Sequence, residues 1–189
     1  MKRAISLAST AFFSSLLAFI FIYVMVFNAI NRVPDDNTIK MYITASYVDK
    51  KAIRDEIIDG KNIEAVLINY TNENDEYYTS SFETQGLLNS DILIIPINIF
   101  DLSGALNSFI EITDEMFNNS SINKDEYHLL IKDEKVYGII VYQKDLVNIF
   151  GKDIEFYNKD ETYVIAINSA SKITDKAIKT MFDLIKKGA

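Results

Sequence analysis

Residues 90–101 read Ser90-Asp91-Ile92-Leu93-Ile94-Ile95-Pro96-Ile97-Asn98-Ile99-Phe100-Asp101. After its first residue the Asp91–Ile95 run is apolar without alternation and is bounded by turn signals, as expected of an interior strand covered on both faces. Such a strand needs a helical layer above and below it, which points to an α/β fold rather than a sandwich. Pro96 removes a ladder donor and ends the pairing. Asn98 and Asp101 follow at the strand's carboxyl end, although Asp101 before Leu102-Ser103 also reads as an ordinary helix N-cap, worth about 1 kcal/mol.

Segments to either side repeat the strand–helix alternation. Lys40–Tyr47 predicts a strand. Asp49 then caps a helix whose apolar face is Ala52, Ile53, Ile57 and Ile58 and which stops at Gly60. Ile63–Tyr70 predicts a second strand, and the acidic run 71–76 a solvated loop, since it lacks the alternating ligands and central Gly of a calcium loop. A short helix over 79–88 presents Phe82, Leu87 and Leu88. Another, opened by Asp101, carries Leu102, Leu106, Phe109, Ile110 and Met116. Tyr127–Ile131 and Val136–Tyr142 flank the polar Lys132–Lys135 loop as a hairpin. An amphipathic turn over 144–151 ends at Gly151, Thr162–Asn168 is a last strand, and 173–187 a last helix with Ile173, Ala177, Ile178, Met181, Phe182 and Ile185 on one side. This order predicts an α/β domain with a mixed, mostly parallel sheet flanked by helices, the late hairpin supplying the antiparallel part.

Residues 4–30 contain no charge and exceed the about 20 helical residues that cross a hydrocarbon core. Lys2 and Arg3 precede the run, while Asp35 and Asp36 follow Arg32, so the amino terminus is expected in the cytoplasm and the rest outside. The run is too long for a signal peptide, and Phe27 stands where a small residue would precede a cut after Ala29, so an uncleaved transmembrane helix is expected. The chain divides into this anchor over 1–30, a linker over 31–38 and an extracellular domain over 39–189.

Composition narrows the function. With Lys2 and Arg3 set aside, 17 basic residues face 27 acidic ones, a net charge of −10, which argues against nucleic acid as a partner. The chain has no Cys, and its single histidine, His128, falls within a hairpin strand, so neither nucleophilic catalysis nor a zinc centre is expected. Six scattered glycines form no phosphate loop. No catalytic residue, metal or cofactor is expected, and no enzyme.

Ligands of open α/β sheets gather outside the carboxyl ends of the strands. That edge collects Ser46 and Tyr47 after the first strand, Asn69 and Tyr70 after the second, and Asn98 and Asp101 after the third. Of these, Ser46, Tyr47, Asn98 and Asp101 are the candidate ligand-binding residues.

Four segments, KMYITASYVDKKAIRDEI, SDILIIPINIFDLSGALNSFI, EKVYGIIVY and ETYVIAINSASKITDKAIKTMFDLI, follow one another as in the extracellular solute-binding proteins of ABC importers, and residues 39–187 resemble that periplasmic-binding-protein-like family. The resemblance implies that 137–142 crosses toward a second lobe and that 163–171 returns from it. Only about 20 residues lie between them here, too few for a lobe, so a single lobe with half a cleft is implied. The resemblance suggests two roles for the chain. One is a membrane-anchored binding or interaction module with a permease or receptor as partner, contacted through Tyr137, Tyr142 and the 143–162 insert. The other is the solute-binding component of an importer, taking a small-molecule ligand at Ser46, Tyr47, Asn98 and Asp101.

Overall fold

A computed structural model describes residues 2–31, 33–58, 62–100, 105–157 and 161–188. The chain forms two compact units, Met1–Pro34 and Asp35–Ala189. The first is one helix, α1 (Lys2–Asn31). Its described side chains, residues 12–27, are all exposed. Among the described residues no helix is long and apolar enough to cross a membrane.

The second unit is built on a six-stranded sheet of β1 (Thr38–Thr44), β3 (Ala65–Thr71), β4 (Ile92–Pro96), β5 (His128–Lys132), β6 (Lys135–Tyr142) and β8 (Thr162–Ile167) in the order β3-β1-β4-β8-β6-β5. β3, β1 and β4 are parallel, and β8 runs antiparallel to both β4 and β6. Four strands therefore point one way and β8 and β5 the other. β2 (Tyr47–Val48) and β7 (Ile154–Glu155) form a separate antiparallel ribbon.

Residues 92–96 of β4 are all buried, as an interior strand requires. One face packs Met41, Ile43, Ile92, Ile94, Ile165 and Ile167 under α2 (Lys50–Ile57), α5 (Asp114–Asn119), α6 (Gln143–Phe150) and α7 (Thr174–Gly188). The other packs Tyr42, Leu93, Ile95, Val164 and Ala166 under α3 (Tyr78–Ser81), its π-helical continuation Phe82–Leu87, and α4 (Ile97–Phe100). Alternate residues of β1, β4 and β8 thus divide between two cores, which is why these strands show no polar face.

Several expectations hold at the level of single contacts. Asp49 caps α2, its Oδ1 accepting from the Lys51 and Ala52 amides at 3.0 and 3.1 Å. The hairpin turns on Asp133 and Glu134, both at positive φ. Gly151 ends α6 at φ +62, and no atom lies within 4 Å of an added Cβ. Strain alone then sets the effect of Gly151→Ala, expected to cost about 1 kcal/mol in thermal unfolding. A neutral substitution would mean that the backbone relaxes at no cost.

Elsewhere the chain departs from its periodicity. The 40–47 strand ends at Thr44 and restarts as β2, because Ser46 donates its amide to Glu155 O at 2.8 Å and turns the chain into the ribbon. Leu88 does not pack and is 72 % exposed. Pro96 stays in the ladder opposite Tyr163, since its missing donor is not needed there, and a helical turn follows.

The helix expected from Asp101 to Met116 is not continuous over its described part, and only its end, from Asp114, is helical, in α5. A 3-10 turn spans Ala105–Ser108, and the chain then extends, with Ile110 N donating to Ile167 O at 3.0 Å and Ile112 N to Val136 O at 2.7 Å. Phe109 enters one core and Ile112 the other. Extended pairing to β8 and β6 outweighs the helical spacing of Leu106, Phe109 and Ile110, since β-branched residues suit it better.

Candidate functional site

β1, β3, β4 and β6 all end at one edge of the sheet, where β8 and β5 begin. Ser46 and Tyr47 stand there, both exposed, on the β2–β7 ribbon. Asn98 is exposed in α4. Asp101 lies outside the described residues. Among the described residues no hydrogen bond or ring contact joins Ser46 or Tyr47 to Asn98, so the sequence candidates share an edge without forming one cluster.

A different set at this edge does form a connected cluster. Thr44 Oγ1 and the Tyr78 hydroxyl lie 3.0 Å apart, and Thr71 Oγ1 and Ser81 Oγ 2.6 Å apart. Strand register explains this. Thr44 pairs with Thr71 across β1 and β3, and α3 lays Tyr78 and Ser81 over both. The Tyr42 hydroxyl is fully buried and meets no partner in hydrogen-bonding geometry. Burial raises its pKa, against the opposing pull of the nearby Thr71 and Ser81 hydroxyls. Burial likewise lifts Tyr78 and Tyr163 above the ordinary phenol range, with Glu73 and Glu161 adding to the rise at both. These phenols stay neutral, and those of Tyr78 and Tyr163 serve as hydrogen-bond groups.

Two carboxyls complete the cluster. Glu73, from the turn after β3, interacts with Glu161, which precedes β8. Burial first, then the hydrogen bond and charge of Glu161, push Glu73 up to about 7. Glu161 Oε2 also accepts from the Tyr163 hydroxyl at 3.4 Å, and the Tyr163 ring packs 4.6 Å from Phe156. The acidic 71–76 run is therefore not wholly solvated, because Glu73 is half-buried. Nothing local in the sequence signals that Glu73 and Glu161, 88 residues apart, act on one another.

At the far side of the same edge a hollow of about 250 Å³ is lined by His128, Tyr142, Lys144, Asp145 and Ile149. The His128 and Tyr142 rings meet edge-on at 5.7 Å, and Lys144 Nζ lies 5.7 Å from the Tyr142 ring centre. Tyr137 is half-buried and packs against the core. Tyr47, Tyr142, Val147 and Tyr157 are 46, 42, 41 and 60 % exposed.

A larger groove of about 600 Å³ runs between α2 and α7 over Ile57, Ile63, Thr180 and Leu184, toward the opposite edge of the sheet. It is bordered by solvated Lys and Asp side chains and by the Glu56–Lys187 ion pair at 3.0 Å. Its Lys176 ammonium is already taken up by Asp36 O, Asn37 Oδ1 and Asn62 O at 2.6, 2.7 and 3.1 Å, which makes the groove a weaker candidate than its size suggests. Among the described residues no group of three or more His, Cys, Asp or Glu side chains is placed to hold a metal ion. No protein-family model matches the chain, and neither the curated proteins nor the solved structures compared with it include a detectable relative.

Proposed function

We propose that this chain is a membrane-anchored, non-enzymatic interaction module on the outer face of the cell, a single lobe of periplasmic-binding-protein-like type. One observation carries the proposal. β6 and β8 lie side by side in opposite directions, and Tyr142 at the end of β6, Val147 and Tyr157 after it, and Tyr47 on the β2–β7 ribbon are all exposed. A second lobe inserted between those strands would emerge where β6 ends. Without it, an aromatic patch is left for a protein partner, and such rings supply contact area at low entropic cost. The uncharged run 4–30, with basic residues before it and acidic ones after it, supports the anchor and the outward orientation.

The test uses the full chain in native membranes. After an alkaline carbonate wash it is expected in the pellet. After crosslinking, an integral membrane protein is expected to co-purify with wild type and to be lost with the Tyr142→Ala/Tyr157→Ala double variant. Release by carbonate would sink the anchor. Unchanged co-purification in the double variant would sink the patch. A saturable thermal shift with a sugar, amino acid or polyamine, abolished in Asn98→Ala, would replace the proposal with solute binding.

A further inference from the structure

β3 and β5 are the two outer strands of the sheet. β5 is guarded, since it ends in Lys132 and its ladder breaks register between Leu130 and Ile131. β3 has no such guard: Ala65-Val66-Leu67-Ile68-Asn69-Tyr70-Thr71 carries no charge, proline or glycine and pairs with β1 in unbroken register. Thr71 O accepts from the Ala45 amide at 3.1 Å, so Thr71 turns its backbone groups toward β1. Backbone direction alternates along a strand, so Val66, Ile68 and Tyr70 turn theirs outward. Among the described residues no backbone bond takes these groups up. On the face away from α2, Leu67 is exposed as well.

α2 borders this edge with an unused cation. The helix joins two parallel strands and so runs back against both. On one flank its Glu56 reaches α7 and pairs with Lys187 at 3.0 Å. On the other, Lys50 Nζ stands 5.2 Å from the Tyr70 ring centre. Arg54 follows Lys50 by four residues and shares its flank. That step is about 6 Å along the helix, the length of two strand residues, which sets Arg54 level with Ile68. Its Nε is buried and, among the described residues, meets no acceptor. The described carboxylates of α2 and its cap are engaged elsewhere, Asp55 with Lys51 at 2.9 Å, Glu56 with Lys187, and Asp49 with the first amides of the helix. A buried donor without an acceptor costs free energy, and a planar guanidinium matches a carboxylate with two parallel bonds.

We propose that β3 takes an extended segment of a partner protein as an added strand, and that a carboxylate on this segment pairs with Arg54. Main-chain bonds to Val66, Ile68 and Tyr70 supply the affinity, and the side chain lying under α2 supplies the selectivity. A second copy of β3 fits less well. Its residues 65–71 contain no carboxylate, so pairing two copies leaves Arg54 as it is. This surface lies at the other end of the sheet from β6 and Tyr142, so it is a second contact that does not rest on the aromatic patch.

Fluorescence anisotropy with the full chain in mild detergent tests this, the probe being a labelled, capped peptide of alternating valine and threonine with one central glutamate. Saturable binding is expected. It is expected to weaken about tenfold or more when glutamine replaces the glutamate, and equally with Arg54→Met, the factor that a hydrogen bond to a charged group is worth. Methionine keeps an apolar stem in place, so the thermal midpoint of the free variant is expected not to fall. In hydrogen exchange the amides of Val66, Ile68 and Tyr70 are expected to be open without the peptide and to gain protection with it. Absence of saturable binding, equal affinity for the two peptides, or protection gained elsewhere would overturn the proposal. A lowered midpoint would too, since Arg54 would then have a partner within the chain. So would protection of the three amides that rises with chain concentration alone, which would put a second copy on β3.

Discussion

Gly138→Ala is expected to destabilise the second unit by about 3 kcal/mol, at the upper end of what overpacking a core usually costs. Gly138 lies in β6, flanked by β5 and β8. A Cβ built there would stand 2.4 Å from Val164 Cγ1 and 2.9 Å from Ile165 O. Neither neighbour can easily give way. Ile165 O is backbone of an interior strand, and Val164 is wholly buried with a β-branched side chain restricted at χ1. Beside Gly138 the ladder is already irregular, since Leu130 pairs with Gly138 but Ile131 with Val136, leaving Tyr137 as an extra residue. For a domain of this size the midpoint is expected to fall by roughly 6–12 °C, at about 2–4 °C per kcal/mol. Near-ultraviolet circular dichroism of the tyrosines would follow it in the full chain. Combining the variant with Val164→Ala separates the causes. If the clash is the mechanism, the pair is less destabilised than the sum of the single changes by about 1 kcal/mol or more. Strict additivity would refute it.

The strands of the sheet were legible because each one's environment leaves a local mark. The unbroken Ile92–Ile95 run announces burial on both faces, the Asp49 cap and Gly151 stop bracket their helices, and the hairpin needs only its polar turn. Where two periodicities compete, local reading gives way. Phe109, Ile110 and Ile112 suit a helix and an extended chain alike, and what decides is the set of free carbonyls on Ile167 and Val136, which belong to distant segments. Antiparallel β8 between β4 and β6 is a similar case, since strand order is not written into any one strand. The candidate site shows the limit more sharply. The rule that ligands gather at strand ends led to Ser46, Tyr47, Asn98 and Asp101, and three of these are described at that edge. The Glu73–Glu161 pair escaped because a half-buried carboxylate in an acidic turn looks, residue by residue, like any solvated one.

Asp91→Ala is the other large effect expected, again about 3 kcal/mol. The side chain is 7 % exposed and works in both directions. Its Oδ2 accepts from the Lys40 amide at 2.8 Å and its Oδ1 from the Ser171 hydroxyl at 2.6 Å. Its backbone adds Asp91 N to Lys40 O at 2.7 Å and Asn168 N to Asp91 O at 2.9 Å. One residue thus ties the start of β4 to β1 and to the turn between β8 and α7. Hydrogen bonds to a charged group contribute about 1.5–3 kcal/mol each, and the lower figure suits this pair because Ser171 and Lys40 are only partly buried. Asp91→Asn is expected to cost about 1 kcal/mol, because the amide oxygen still accepts from Lys40 while the Ser171 hydroxyl can turn to accept from the new NH₂. Equal losses for Ala and Asn would mean that charge, not bonding geometry, matters at this position. Both variants are expected to lower the midpoint of thermal unfolding, Asp91→Ala by more than Asp91→Asn.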